Sequence, residues 1–267
     1  MKQLETPQVI TDVAQDITED YFLGDRLIIR QPRKGYRAGV DAVLLAASVR
    51  APDKGHDKEL GKGDATLLDI GAGAGTVGLC AAARLPSLNV TLLEREPELV
   101  RLALENIAAN SLTGRVTAVH AEVGAPAGLA PESFDAAVAN PPFHDLHAGT
   151  PAPNALKAAS HAMPGQSLDD WLRFMARMVR PGGRATLIHK AEALPEILAA
   201  FEARFGGLII LPIHAREHEP AIRVLVQGIK GSRAPLTLRP PFVLHGDGNE
   251  FTVAAQQILR HGGALGM

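Results

Sequence analysis

Residues 66–94 read TLLDIGAGAGTVGLCAAARLPSLNVTLLE. A short apolar run ends in an acid and three alternating glycines, as a buried strand does before a sharp turn. The run from Thr76 to Leu85 has helical length, and Asn89 to Glu94 is a second β-rich run. Two strands separated by a helix run parallel, because the crossover brings the chain back in the same direction. Downstream the alternation repeats: PELVRLALENIAAN, RVTAVH, FDAAVA, LDDWLRFMARMVR, a Pro181-Gly182-Gly183 turn, then RATLIHK. This predicts a doubly wound α/β sheet with helices on both faces. After a helix from about Glu192 to Phe205 the pattern changes. The runs 206–213 and 221–229 are joined by a short loop, so they pair antiparallel. Seven strands are predicted, the last two forming an antiparallel hairpin at one edge.

Upstream, Tyr21 to Arg30 alternates around Gly24-Asp25 as a hairpin does, and Val40 to Val49 is an apolar run suited to a buried helix. Residues 51–65 are polar and glycine-rich. Residues 1–65 are therefore expected to form a small N-terminal cap belonging to the same unit as the domain over 66–267. The Ala/Pro/Gly-rich stretches at 121–131 and 148–166 read as mobile loops.

The chain has 267 residues, 46% hydrophobic and 21% charged, with a net charge of −2. That is the composition of an ordinary globular protein. One cysteine, Cys80, cannot form an internal disulfide, and the acidic N-terminus lacks an apolar signal core, so a cytoplasmic location is expected. No window approaches the length of a membrane span. Charge is unevenly distributed. Residues 26–37 hold five basic residues and no acid, whereas 1–25 hold six acids and one lysine. A second basic excess lies in 216–239, with five basic residues against two glutamates. These stretches are either solvated faces or phosphate-binding surfaces.

At the strand end, Asp69 precedes Gly71, Gly73 and Gly75, and an acid there can pair with a cationic or hydroxyl group of a bound cofactor. Glycines let the backbone turn with positive φ and let a ligand lie against the main chain. Glu94 ends the next strand, where a carboxylate can accept ribose hydroxyls. After the third strand, Glu122 stands where it can accept from an adenine amino group. Residues 73–78 also match the dinucleotide fingerprint GxGxxG, so a nicotinamide cofactor is the rival of S-adenosylmethionine at this point.

The fourth strand runs into Asn140-Pro141-Pro142-Phe143. Ligands of open α/β sheets bind at the carboxyl ends of the strands, so this tetrapeptide faces the same crevice as the glycine turn. Two prolines fix φ, and the Asn140 side chain and the Pro141 carbonyl can then be aimed at one point. Both accept hydrogen bonds, and a planar NH₂ group offers two protons. Phe143 can stack on a flat substrate. A dehydrogenase gives no reason for two fixed acceptors here, which favours methyl transfer from S-adenosylmethionine.

At these residues the chain resembles the NPPY-type class I amino methyltransferases. The upstream segment Gln31-Pro32-Arg33-Lys34-Gly35-Tyr36-Arg37-Ala38-Gly39-Val40-Asp41 makes it similar to the bacterial tRNA(Val) adenine-N6 methyltransferase family. The resemblance extends to Arg223 to Gly228 and Lys230-Gly231. It implies a class I Rossmann-like fold, S-adenosylmethionine as cofactor, and an anticodon-loop adenine of tRNA as acceptor. It also implies that Gln31, Arg37 and Asp41 contact the methionine end of the cofactor. Ala38-Gly39 stand where the family has larger or polar residues, and Phe143 replaces its commoner Tyr.

An RNA partner would meet Arg26, Arg30, Arg33, Lys34, Arg233 and Arg239. Two alternatives remain: N5-methylation of a glutamine amide in a translation protein such as a release factor, and a non-catalytic RNA-binding role. No metal is expected, since His144 and His147 lack partners at ligand spacing. Trp171, with Phe174 and Met175 at helical spacing, reads as core.

Overall fold

The computed structural model describes residues 16–35, 37–50, 65–125, 128–142 and 167–267. A hairpin, β1 (Ile17–Phe22) and β2 (Leu27–Pro32), leads into α1 (Val40–Ser48). The alternating layer follows as β3 (Ala65–Ile70), α2 (Thr76–Arg84), β4 (Leu88–Glu94), α3 (Pro97–Ala109), β5 (Val116–His120), β6 (Phe134–Ala139), α4 (Leu168–Met178) and β7 (Val179–Lys190). A helix α5 (Leu194–Glu202) precedes the long strands β8 (Phe205–His214) and β9 (Ala221–Lys230). The chain ends with β10 (Thr237–Leu238), β11 (Phe242–Val243) and α6 (Val253–Leu259).

The main sheet has the order β10-β8-β9-β7-β6-β3-β4-β5, with β11 also paired to β8. Strands β3 to β7 are parallel, and β9 is antiparallel to both β7 and β8. The chain winds from β3 outward to β5, then crosses back to place β6 on the other flank of β3. That reversal opens a crevice at the carboxyl ends of β3 and β6. The seven expected strands are present in the doubly wound order of the class I methyltransferase fold, with the antiparallel hairpin at the edge.

Two details differ from expectation. Pro181-Gly182-Gly183 forms a bulge within β7 and not a turn before it: Phe134 pairs with Val179 and Ala136 with Arg184, leaving four residues of β7 opposite one of β6. The C-terminal segment adds β10 and β11 parallel to β8 and packs α6 on α1.

One apolar layer covers each face of the sheet. Helices α4 and α5 bury Trp171, Met175 and Phe201 on one side. The other side packs α2 and α3 together with Leu23, Leu27 and Ile29 of the hairpin, Leu44 and Leu45 of α1, and Leu265 and Met267 of the C-terminus. The cap thus shares its core with the sheet. Two asparagines one helical turn apart on α3 act as an extra strand for β2. Asn106 accepts from the Arg30 amide and donates to the Arg30 carbonyl, and Asn110 does the same for Ile28. Two arginines add donors to carbonyls at helix ends, where main-chain partners run out. Arg84 donates to the carbonyls of Ala46 and Val49 after α1, and Arg115 donates to those of Ala82 and Leu85 after α2.

Candidate functional site

Gly71, Gly73 and Gly75 have φ of +66°, +58° and +92°, a region L side chains rarely enter. A Cβ on Gly71 would stand 2.7 Å from the ring of Trp171, so this glycine is also required by close packing. A Cβ on Gly73 would meet nothing within 4 Å. The turn is therefore packed from below at Gly71 and open above Gly73, as a cradle for a ligand lying on the backbone. Its own amides are largely committed to holding its shape. Gly71 and Ala72 both donate to the Leu93 carbonyl, and Gly73 donates to Glu94 Oε2 at 2.8 Å.

Glu94 is buried and accepts three main-chain N–H groups: Gly73 on Oε2, Arg95 and Glu96 on Oε1. Its carboxylate clamps the glycine turn to the end of β4. Oε2 retains a lone pair for a hydroxyl donor. Asp69 is also buried, and its Oδ2 accepts the Gly78 amide at 2.9 Å, satisfying an open N–H in the first turn of α2. Burial pushes the Asp69 carboxyl up to about 7; the Gly78 N–H opposes this and the charge of Glu94 adds to it.

The sheet register brings the remaining groups alongside. Ile70 pairs with Leu93 on one side and with Ala139 on the other, so Glu94 at the end of β4, Gly71 after β3 and Asn140 after β6 line up at the carboxyl edge of three adjacent strands. Neighbouring strands lie about 4.8 Å apart, which puts Asn140 beside the glycine turn. The Asn140 Oδ1 atom is shielded from solvent and Pro141 is buried. Phe143 lies outside the described residues, as do His144, His147 and Tyr36. Glu122 is exposed, in a turn bridged to Ala125 just after β5.

The cap residues are held by two sets of contacts. Gln31 is buried; its Nε2 donates to Asp20 and to the Ala38 carbonyl, and its Oε1 accepts the Ala38 amide at 2.9 Å. Arg37 donates to both carboxylate oxygens of Asp20 at 2.7 Å. Asp41, in the first turn of α1, pairs with Arg223 of β9 at 2.8 Å. Asp20 and Arg223 thus position three residues that sequence reasoning singled out without naming their anchors. Trp171 and Asn106 were also missed as parts of the site. Trp171 supports Gly71, and Asn106 donates to the Ala74 carbonyl within the turn. Asn106 carried a signal, a polar residue between Ala103 and Ile107 on the buried face of α3.

The basic residues of the cap face its own acids. Arg30 pairs with Glu19, and Arg33 and Lys34 both pair with Asp16. Arg26 donates to the Leu23 carbonyl. Arg233 and Arg239, in contrast, form no ion pair among the described residues. No cluster of three or more His, Cys, Asp or Glu residues that could hold a metal occurs among the described residues.

The family model of the methyltransferase small domain matches residues 57–163. A crystal structure from Agrobacterium tumefaciens, called a predicted O-methyltransferase, is 32% identical and superposes with a TM-score of 0.67 over 84% of this chain and 98% of its own. The chain belongs to the S-adenosylmethionine-dependent methyltransferases. Two groups of curated relatives carry RNA-modifying names. The ribosomal RNA small subunit methyltransferase C of Pseudomonas aeruginosa (strain LESB58) is 36% identical over 48% of this chain. The chain spans about a third of that relative's length, 35%. The tRNA1(Val) (adenine(37)-N6)-methyltransferase of Pedobacter heparinus is 28% identical over 71% of this chain and 76% of its own. S-adenosylmethionine is the cofactor of this methyltransferase family. The residues present suit it: a backbone cradle open at Gly73, and a buried carboxylate at Glu94 with a lone pair to spare.

Proposed function

We propose that this methyltransferase transfers the methyl group of S-adenosylmethionine to the exocyclic N6 amine of an adenine in RNA, in the anticodon loop of a tRNA. The observation that carries the reading is the placement of Asn140 and Pro141 at the end of β6, beside the Gly71 turn. The bound cofactor would supply an electrophilic methyl group on a sulfonium. The Asn140 side-chain oxygen accepts one proton of the amine and the Pro141 carbonyl accepts the other, which orients the nitrogen and increases the electron density on it. Pro141 and Pro142 hold the two acceptors rigid, and Phe143 stacks on the base. No covalent enzyme intermediate is needed, because displacement at a methyl group depends on position and electrostatics.

On the cofactor side, Gly71, Gly73 and Gly75 bed its amino-acid part, Glu94 accepts from its ribose, and Glu122 accepts from its adenine. Gln31, Arg37 and Asp41 close over it from the cap. The tRNA assignment is supported by relatives named for adenine N6 methylation that align over most of this chain and of their own length. Reaction in the cytoplasm, where tRNA is found, belongs to the same reading. A second acceptor, a base amine of ribosomal RNA, is favoured by the higher identity, over about half of the chain, to the ribosomal RNA methyltransferases. The same two acceptors serve either amine.

Incubation with tritiated cofactor and separate pools of tRNA, rRNA and protein tests the assignment, followed by nucleoside analysis. Label in N6-methyladenosine from tRNA is the expected outcome. Label in a guanosine of rRNA would move the reading to the second acceptor, and label in protein glutamine would sink both.

A further inference from the structure

The described residues hold a pocket of about 420 Å³ away from the glycine turn. Its floor is Leu211 of β8, one wall is Arg239 to Phe242, and the other is Ala254, Gln257 and Ile258 of α6 with the C-terminal glycines. Its volume lies within the range of small-molecule sites, about 300–1,000 Å³. It also lies on the catalytic side of the sheet. Phe242 pairs with Ile213 of β8, Ile213 with Arg223 of β9, and Arg223 with Lys190 at the carboxyl end of β7. Three strand spacings from β8 to β6 amount to roughly 14 Å, a distance that a bound polynucleotide spans.

The chemistry of the lining is selective. Arg239 is its single charged side chain, and it holds no acid partner among the described residues, whereas Arg30, Arg33, Lys34 and Arg37 of the cap each do. The Gln257 amide makes no hydrogen bond among the described residues and can both donate and accept. Pro240, Pro241 and Phe242 present rigid, flat apolar surface. Arg233, also on the segment that leads to β10, is exposed and forms no ion pair among the described residues, and Leu236 and Leu238 are exposed. A cation over flat apolar walls with one amide matches an unpaired nucleotide: a phosphate for Arg239, a ring for Phe242 and the prolines, a base edge for Gln257.

We propose that this pocket is a second nucleotide site, which takes one unpaired nucleotide of the RNA substrate outside the residue that is methylated. The proposal rests on the reading of this chain as an RNA methyltransferase. The pocket fixes the register of the RNA strand while the Asn140 site acts on the target base.

The test is fluorescence anisotropy of a labelled tRNA with the full chain, over a series of salt concentrations. Two variants probe the two halves of the site. Arg239→Gln removes the cation, and Ala254→Trp fills the pocket from an exposed position on α6, where the added ring leaves the core intact. Each is expected to weaken RNA binding about tenfold with unchanged affinity for S-adenosylmethionine. Arg239→Gln alone should lower the salt slope by about one. If the wild-type chain binds and methylates RNA while both variants bind it equally well, the pocket is overturned and the RNA reading stands. If the wild-type chain neither binds nor methylates any RNA, the RNA reading itself fails, and the pocket with it. A change of oligomeric state on Ala254→Trp, with RNA binding intact, would instead assign the surface to a second copy of this chain.

Discussion

Asp69 lies in register with Val138, two residues before Asn140, so two polar side chains with different tasks end neighbouring strands. Asn140→Ala removes one acceptor and leaves the proline-fixed backbone in place. Cofactor affinity should persist while single-turnover methylation falls roughly 100- to 1000-fold, or about 2.7 to 4 kcal/mol, as for other aimed transition-state hydrogen bonds. Asn140→Asp keeps an acceptor and should retain more activity than alanine. Wild-type rates in the alanine variant would end the proposed mechanism. Asp69 has a structural task, holding the Gly78 amide, and its signature is pH dependence. Its carboxyl is raised from 3.8 to about 7, chiefly by burial. A carboxyl whose folded pKa exceeds its unfolded value contributes stability that is fully present below about pH 4 and is lost as pH rises through about 7. The loss corresponds to roughly 4 kcal/mol. Asp69→Asn keeps an acceptor for Gly78 without a charge. Urea midpoints measured from pH 4.5 to pH 8 should fall more steeply in the wild type than in this variant; parallel curves would show that Asp69 is not the titrating group.

Among the elements, α1 shows how the cap is tied down. Its N-terminal Asp41 suits the positive end of the helix and meets Arg223, while Arg84 from α2 binds the carbonyls at its other end and the Gly262 carbonyl of the C-terminus. Burial lowers the pKa of the Arg84 guanidinium, and nearby Cys80, itself buried and pushed up to about 12, opposes that only in its thiolate form. Arg84→Met keeps much of the stem's apolar bulk and removes the charged donors to the Ala46, Val49 and Gly262 carbonyls. A destabilisation of about 1.5–3 kcal/mol is expected for lost bonds to a charged group, with hydrogen exchange fastest in the last turn of α1. Protection equal to wild type there would show that Arg84 does not hold the helix. The elements legible in the sequence were those with a strong local period: Leu67 to Ile70 as a buried strand, Pro97 to Ala109 as an amphipathic helix, and Tyr21 to Arg30 as a hairpin around its glycine. What escaped was set at long range. The two-residue strands β10 and β11 are too short to show a period, and their pairing with β8 is fixed by tertiary contact. The Pro-Gly-Gly bulge reads locally as a turn, and only the resumed pairing of Ala136 with Arg184 shows that the strand continues. The candidate site was legible where chain order dictates position, at Gly71, Glu94 and Asn140. It was not where partners come from distant segments, as Asp20, Trp171 and Arg223 do. The pairing of Arg33 with Asp16 becomes visible only once the hairpin register is known.

At the scale of the whole molecule, the sheet separates two apolar layers, and the question is whether the cap folds with both. Leu44 of α1 is fully buried in the layer that contains the hairpin, α2 and the C-terminal residues. The only tryptophan, Trp171, lies in the layer on the opposite face, under α4 and against Gly71. A probe in one layer can therefore report a perturbation made in the other. Leu44→Ala leaves a cavity in the cap layer and should cost about 2–5 kcal/mol, the range for deletion of a well-packed leucine side chain. If the cap is part of one cooperative unit, the loss is transmitted through the strands, because Ile188, Leu225 and Val138 contribute to the same layer as Leu44 while their neighbours Leu187, Val226 and Ala137 face Trp171. Urea unfolding followed by tryptophan fluorescence and by far-ultraviolet circular dichroism should then give coincident transitions, both shifted to lower denaturant by the same amount. A cap that folded by itself would leave the Trp171 transition where it is in the wild type and split the dichroism curve in two. Binding of S-adenosylmethionine supplies the complementary measurement, since a ligand that binds only the folded state raises stability by an amount set by its concentration over Kd. In a single unit it should move both probes of the Leu44→Ala variant back toward higher denaturant together, and movement of one probe alone would place the boundary between cap and sheet.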